Sequence, residues 1–551
     1  MDIFLQPLVS ELLDIHEHGF ELNDSYLQQT YRTRWYLATC SADGPARAVL
    51  GRFMGVKSPR SDFRSLFEGS TFENAGTGTY FTGYAKPVEQ TFFPGEKLDA
   101  WDKRLALNHK TSMDLATRVE RKELEPNKAG RHGITLLAKL PAFDTHYGFL
   151  IPAAHLIING LLKGFWYYVL MDYTGACPRN VLPNRARNEL TKRGKRLQLP
   201  HDMGRPYVDI VKKKGTWVME NWLHWAETFC QISHPLLEEH CPDSHQAWLH
   251  LRAAVRHYLC SFDEYDNLSK DEVDQKRLEA RDHVREYAKI VETKLTVQLC
   301  TMNLRLAQHL HDQEEYTGWI KDSMEFWVER EVQREKKHVK DRVVIMPETF
   351  LGNMHLLECA VQNIENDVGD MMMLPQQPGT ISDHHLRDDF TSVTRLLDKG
   401  EERVIKFDFK FRLGHLRALV SKTSKHSLDE FTLLRFKSAS LGGKEFTSKA
   451  YSRHQSRCSY HVCFRTTDAP SEDKYGDVVH YYLLHHRVSN ERIRFCELQW
   501  FKGSGVQHVH KTPEETLLVL PLECIRRKVI FYSLEMSDHI EILPCPSKGR
   551  L

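Results

Sequence analysis

Trp35-Tyr36-Leu37-Ala38-Thr39-Cys40-Ser41-Ala42-Asp43-Gly44-Pro45-Ala46-Arg47 is the stretch whose reading decides the fold. The apolar and β-prone run Trp35 to Cys40 predicts a strand. Gly44-Pro45 predicts the turn that ends it. An acid directly after such a run stands at the C-terminal edge of a strand, where open α/β sheets carry their active sites. Asp43 therefore has two readings. One is a metal-binding carboxylate at a strand end. The other is an Asp that initiates a turn before Gly-Pro. Upstream, Phe4, Leu5, Leu8, Leu12, Leu13 and Ile15 share one broad face and predict a helix over 3–20. Downstream, 55–80 is rich in Gly, Ser and Thr and reads as loop, with Tyr80–Tyr84 as a short strand.

The wider composition is that of a globular chain. Of 551 residues, 41% are hydrophobic and 27% charged, which excludes a disordered, collagenous or disulfide-scaffold class. Net charge is +1, so any nucleic-acid or membrane contact has to come from local patches. The 12 cysteines are scattered without a C-x-x-C pair, which argues against a zinc knuckle and suits a reducing compartment. The N-terminus carries acids within its apolar stretch and is not a secretory signal. Phe149 to Met171 is long enough to span a bilayer. His155, Asn159 and Lys163 recur every fourth residue within it, which predicts a buried amphipathic helix and no membrane contact.

Helix dominates from about 100 to 370, with helical periodicity over Trp217–Phe229, Ser244–Leu259, Lys270–Leu310 and Trp319–His338. Met371 to Gly379 reads as linker. Beyond about 400 the period falls to two. Val404–Phe411, Ser459–Phe464, Val478–Leu484, Ile493–Phe501 and Val529–Leu534 predict strands of a small barrel or sandwich. The fold class is α+β.

His155 on its apolar helix reads as a core histidine or as a ligand. Glu329 reads as a surface glutamate in an ion-pair pattern or as a ligand. Residues 185–214 carry ten bases (Arg185, Arg187, Lys192, Arg193, Lys195, Arg196, Arg205, Lys212, Lys213, Lys214) against three acids. Residues 401–460 carry thirteen against six. Such a surplus suits phosphate binding through counterion release. Its alternative is solvated loops balanced by acidic helices. Asp383-His384-His385 and the His508/His510 pair lack a four-ligand pattern. The chain has no phosphate-binding Gly-rich loop, nucleophile elbow or H-E-x-x-H.

The order of several landmarks resembles CACTA-type (En/Spm-like) cut-and-paste DNA transposases over most of residues 1–360. These are the helix before Ser41-Ala42-Asp43-Gly44-Pro45-Ala46-Arg47, then Gly51-Arg52-Phe53-Met54-Gly55, then Pro141-Ala142-Phe143-Asp144. Ile151-Pro152-Ala153-Ala154-His155 with Asn159-Gly160 follows, then Leu199-Pro200-His201-Asp202-Met203-Gly204-Arg205. Asn303-Leu304-Arg305 with His309-Leu310 and Phe326-Trp327-Val328-Glu329-Arg330 complete the series. The resemblance implies a partial RNase H-like core over 1–175 and a helical region over 176–370 carrying the last acid. It also implies a linker over 371–400 and a β-rich accessory domain over 401–551. It implies three acids holding two Mg²⁺ or Mn²⁺ ions, with Asp43 as the second acid, Glu329 as the third and His155 beside them. Double-stranded DNA at terminal repeats is the implied partner, with possible self-association, in the nucleus.

The departures are specific. Three strands of the core should precede Trp35, so the first acid is expected to be missing from this chain. Pro152 replaces the acid of a D-x-x-H motif. Lys57 to Leu66 lacks the family's C-x-x-C pair, and Arg305 replaces a histidine. Losing ligands from a unit costs most of its activity. The expectation is a transposase-derived DNA-binding protein without strand transfer, with Asp43, Glu329 and His155 as remnants. Two alternatives stay open: an active transposase using an upstream acid, and a helical scaffold with a β recognition domain.

Overall fold

In the computed structural model, residues 2–24, 29–197 apart from 74, 207–259 and 268–324 are described, as are 390–392, 419–421 and, with breaks, 424–544. Among them the chain mixes helices with antiparallel sheet, an α+β composition. It divides into two compact units. One takes in Met1–Leu190 and Lys213–His338, the other Thr191–Lys212 and Val339–Lys548. The regions expected as core and helical insertion thus fall largely within the first unit.

The first unit opens with the Asp2–His18 helix, which buries Val9 completely. A hairpin of Phe20–Asp24 and Gln29–Thr33 follows. The strand expected over 35–40 is shorter and later. Only Cys40–Ser41 is a strand, parallel to Phe149–Leu150 with Cys40 opposite Phe149 and Ser41 opposite Leu150. Strand preference is satisfied by packing against neighbours rather than by the backbone alone. Trp35 and Tyr36 stay more than half exposed, touching Phe20 and His16 edge-on.

The apolar run 149–171 is not one straight helix. It divides into the Phe149–Leu150 strand, a π-helical segment Ala154–Leu162 and the Lys163–Val169 α-helix. Asn159 is exposed while Leu156, Ile157, Ile158, Leu161 and Leu162 are buried, as an amphipathic core helix requires. Among the described residues no helix is long and apolar enough to cross a membrane. Trp166 at its end packs edge-on against Trp225 and Trp248, each fully buried. Around these tryptophans lie the helices Met219–Glu227, Pro242–Leu259 and Lys270–Ile290. The long periodic stretch 270–310 breaks at Val291–Leu299, where Thr296 leaves helical geometry and its side chain accepts from the Gln298 N–H. Short helices Met302–Ala307 and Leu310–Thr317 follow, and a single 3-10 turn Ile320–Ser323 ends the unit's described part.

In the second unit most of the described strands form one antiparallel sheet built around Ala469–His486, and Ser438–Leu441 and Lys444–Thr447 form a separate antiparallel pair. That long strand pairs with His461–Thr466, Arg492–Phe501 and Phe431–Phe436. The pairing extends through Ile525–Ser533 to His539–Pro544 on one side and to Leu517–Pro521 on the other. Alternate residues Val462, Phe464, Val478 and Leu498 join Phe446 and Tyr481 in one apolar cluster, as the period of two demands. The expected strand 404–411 and most of the 371–400 linker lie outside the described residues.

Candidate functional site

Asp43 caps a helix. Its Oδ1 accepts from the Ala46 N–H at 2.8 Å, Pro45 takes the first turn, and the Gly44–Leu50 helix begins there. This is the arrangement that an Asp before Gly-Pro favours. The parallel register puts Asp43 two residues past Ser41 and Pro152 two residues past Leu150, so both leave the same end of the strand pair. Past this pair one chain segment continues to exposed Asp43 and the other to Pro152, which offers no ligand. His155 is half-buried in the π-helical segment. Glu329 lies outside the described residues. Two-metal chemistry needs several oxygen donors converging on ions about 4 Å apart. Among the described residues neither Asp43 nor His155 belongs to a group of three metal donors, so the described donor set does not fit a two-metal centre.

Other landmarks, distant in sequence, do meet. Phe53 stacks on Phe63 at 4.9 Å and meets Phe149 edge-on at 5.2 Å, and Phe143 meets Phe149 at 5.1 Å. A methyl group on Gly160 would overlap the Asn303 side chain, so an added Cβ here forces Asn303 to shift. Gln313 accepts from the Ile151 N–H at 2.6 Å and donates to the Ile151 carbonyl, tying the end of the Phe149–Leu150 strand to the Leu310–Thr317 helix.

The densest convergence was invisible to a search for cysteines. Within the stretch where a C-x-x-C pair was expected, Asp62 and Ser65 face Arg305 and His309. One oxygen of Asp62, Oδ2, accepts from Arg305 Nε at 2.6 Å, from His309 Nε2 at 3.0 Å and from Ser65 Oγ at 2.5 Å. Its other oxygen accepts from the Arg64 N–H at 2.9 Å. Arg305 also donates to Ser65 Oγ at 2.8 Å and to the Ala100 carbonyl at 2.6 Å. Burial alone raises the Asp62 carboxyl. The adjacent His309 and Arg305, with the hydrogen bonds of His309 and Ser65, outweigh burial and hold it far below the usual carboxylate range. Next to it, burial lowers the Arg64 guanidinium to about 10. Burial, then Arg64 and His309, push His146 down to about 2. A cavity of about 40 Å³ lies between Arg64, His146, His309 and Asp312.

The first basic cluster is only partly a surface. Arg185, Lys192, Lys195, Lys212 and Lys213 are exposed. Arg187 is buried and donates to Asp172 at 2.5 Å. Lys214 donates to the Leu170 carbonyl at 3.3 Å. Arg193 and Arg196 are half-buried. Thr191–Lys212 belongs to the second unit while Arg185, Arg187, Lys213 and Lys214 belong to the first. Arg205 and most of the 401–460 patch lie outside the described residues.

Two further features stand in the first unit. His311, Asp312 and Glu315 place one ligand atom each within 4.8 Å of one another on a largely exposed helix face. A cleft of about 1190 Å³ runs past Pro45, Ala48, Met54, Val56, Phe92 and Leu124. Its wall carries the Arg60–Glu68 ion pair at 2.7 Å, with Arg60 lying 4.1 Å over the Phe92 ring. No protein-family model matches this chain, and no curated protein matches it in sequence.

Proposed function

We propose that this chain is a transposase-derived DNA-binding protein that does not carry out strand transfer and acts in the nucleus. One observation carries the reading. Landmarks that the resemblance spreads over more than 250 residues of sequence, from Phe53 through Gly160 to Asn303 and Arg305, lie in one unit, where Phe53 meets Phe149, Gly160 meets Asn303 and Arg305 meets Asp62. The strand pair then reads as the remnant of an RNase H-like core, and the C-terminal sheet as the accessory domain. Pro152 in place of an acid, and the helix-capping role of Asp43, support the loss of two-metal chemistry.

DNA contact falls to exposed cations: Lys192, Lys195 and Lys212 in the second unit, and, taken separately, Arg185 and Lys213 in the first. They neutralise phosphates without reading base edges, so affinity is sequence-tolerant and falls with salt. The test is a duplex titration with Mg²⁺ or Mn²⁺ present. Binding that weakens with salt while the strands stay intact supports the reading. Divalent-ion-dependent nicking that disappears in Asp43→Ala overturns it in favour of an active transposase.

The apolar cleft beside the Gly44–Leu50 helix favours a second reading, a scaffold that holds a partner. A chain with no affinity for duplex DNA at low salt would move the assignment there.

A further inference from the structure

Two pairs of positions in the first unit stand at the spacings from which four-ligand zinc sites are built. Two residues separate 62 from 65, and three separate 305 from 309. Structural zinc sites take C-x₂₋₄-C together with H-x₃₋₅-H. The pairs lie 240 residues apart, yet Ser65 and Arg305 touch, and Asp62 touches both Arg305 and His309. All four side chains thus converge on one small volume. Asp62 and Arg305 are almost completely buried and His309 is nearly so.

The chemistry at those positions is not a metal's. A guanidinium has five N–H donors and no lone pair to give, and the atom the other three side chains share is a carboxylate oxygen, Asp62 Oδ2. Nor is the Asp–His–Ser composition that of an activated nucleophile. Ser65 donates to the carboxylate, and the imidazole also contacts the carboxylate rather than the hydroxyl, so no imidazole base faces Ser65.

We propose that this cluster is a four-ligand cross-link rebuilt as a metal-free ion pair. The Arg305 guanidinium supplies a positive charge, as a zinc ion would, and meets Ser65 and His309 on the Asp62 carboxylate. The cluster ties the loop around Asp62 to the Met302–Ala307 and Leu310–Thr317 helices, as a metal would. The backbone spacing is one a zinc site could use, while the wild-type unit folds without the ion. This stands apart from the DNA-binding reading and does not depend on it.

The experiment compares the full chain with its Asp62→Cys/Ser65→Cys/Arg305→His variant, which keeps the native His309. The variant is refolded with Zn²⁺ and titrated with Co²⁺ as the optical probe. The expected result is one Co²⁺ per chain with the visible bands of a tetrahedral, thiolate-ligated ion. The same variant carrying His309→Ala loses that signature. Its melting temperature rises with Zn²⁺ and falls with EDTA, while that of the wild type moves with neither. A wild type that EDTA destabilises overturns the proposal. So does a variant that stays unfolded in Zn²⁺, or one whose Co²⁺ spectrum is octahedral or indifferent to His309.

Discussion

Breaking the Asp62–Arg305 pair tests the packing of the first unit most sharply. The two side chains are 0% and 2% exposed and meet at 2.6 Å. Removing one partner of a buried ion pair strands the other charge in a low-dielectric site and costs about 3–5 kcal/mol. Arg305→Met leaves Asp62 with His309 and Ser65, which places it near the lower end. Asp62→Leu leaves the guanidinium with Ser65 and the Ala100 carbonyl, which places it near the upper end. Acting independently, the two would cost about 6–10 kcal/mol together. In the double variant no charge is stranded, and what remains is the lost acceptor for His309 and the Arg64 N–H, roughly 2–4 kcal/mol. The coupling is therefore several kcal/mol. Urea unfolding of the full chain, followed by near-ultraviolet circular dichroism of buried Trp166, Trp222, Trp225 and Trp248, measures all three. In thermal melts each single variant should lose roughly 10 °C. Additive losses, or a single loss below about 1 kcal/mol, would refute the argument that the pair is held by mutual compensation.

Three further outcomes follow from named contacts. His146 is buried and its pKa is pushed down to about 2. It stays neutral in the fold while the unfolded chain takes up a proton below about pH 6.5, so stability is kept above that pH and lost as pH falls toward the folded value. The loss is about 2 kcal/mol at pH 5, and unfolding at pH 7 and pH 5 should show His146→Gln removing that share. Gly160→Ala should destabilise the unit by about 1–3 kcal/mol, because the added methyl overlaps Asn303. Recovery in Gly160→Ala/Asn303→Ala identifies the clash. Reversing Lys192, Lys195, Lys212 and Lys213 to Glu should weaken DNA binding equally across sequences, each lost phosphate contact flattening the salt slope by about 0.9.

Local rules carried the reading where the decisive contacts were local. Asp43 before Gly-Pro reads as a helix-initiating acid, and its cap is made to Ala46 three residues on. The helices at 244–259 and the period-two strands after 459 follow from side chains buried on one face. Reading failed where the partner is remote. Nothing near Trp35 says that no second strand will pair with it, so a six-residue strand was expected where two residues pair. Nothing near Asp62 names Arg305 or His309. The one usable signal was the pair of spacings, hidden because the search was for sulfur. Arg187 looked like a DNA contact because charge was counted without geometry, whereas Asp172 holds it inward.

The most direct test of the functional account is the anisotropy of a labelled duplex titrated with the full chain between about 50 and 200 mM salt with Mg²⁺ present, with the DNA then run on a denaturing gel. The account predicts affinity that falls linearly on a double-logarithmic plot. If each of Lys192, Lys195 and Lys212, the exposed cations of the second unit, covers one phosphate, the slope is about −2.7, and the strands remain intact. Salt-insensitive or absent binding, or strands cut in an Asp43-dependent way, would contradict it.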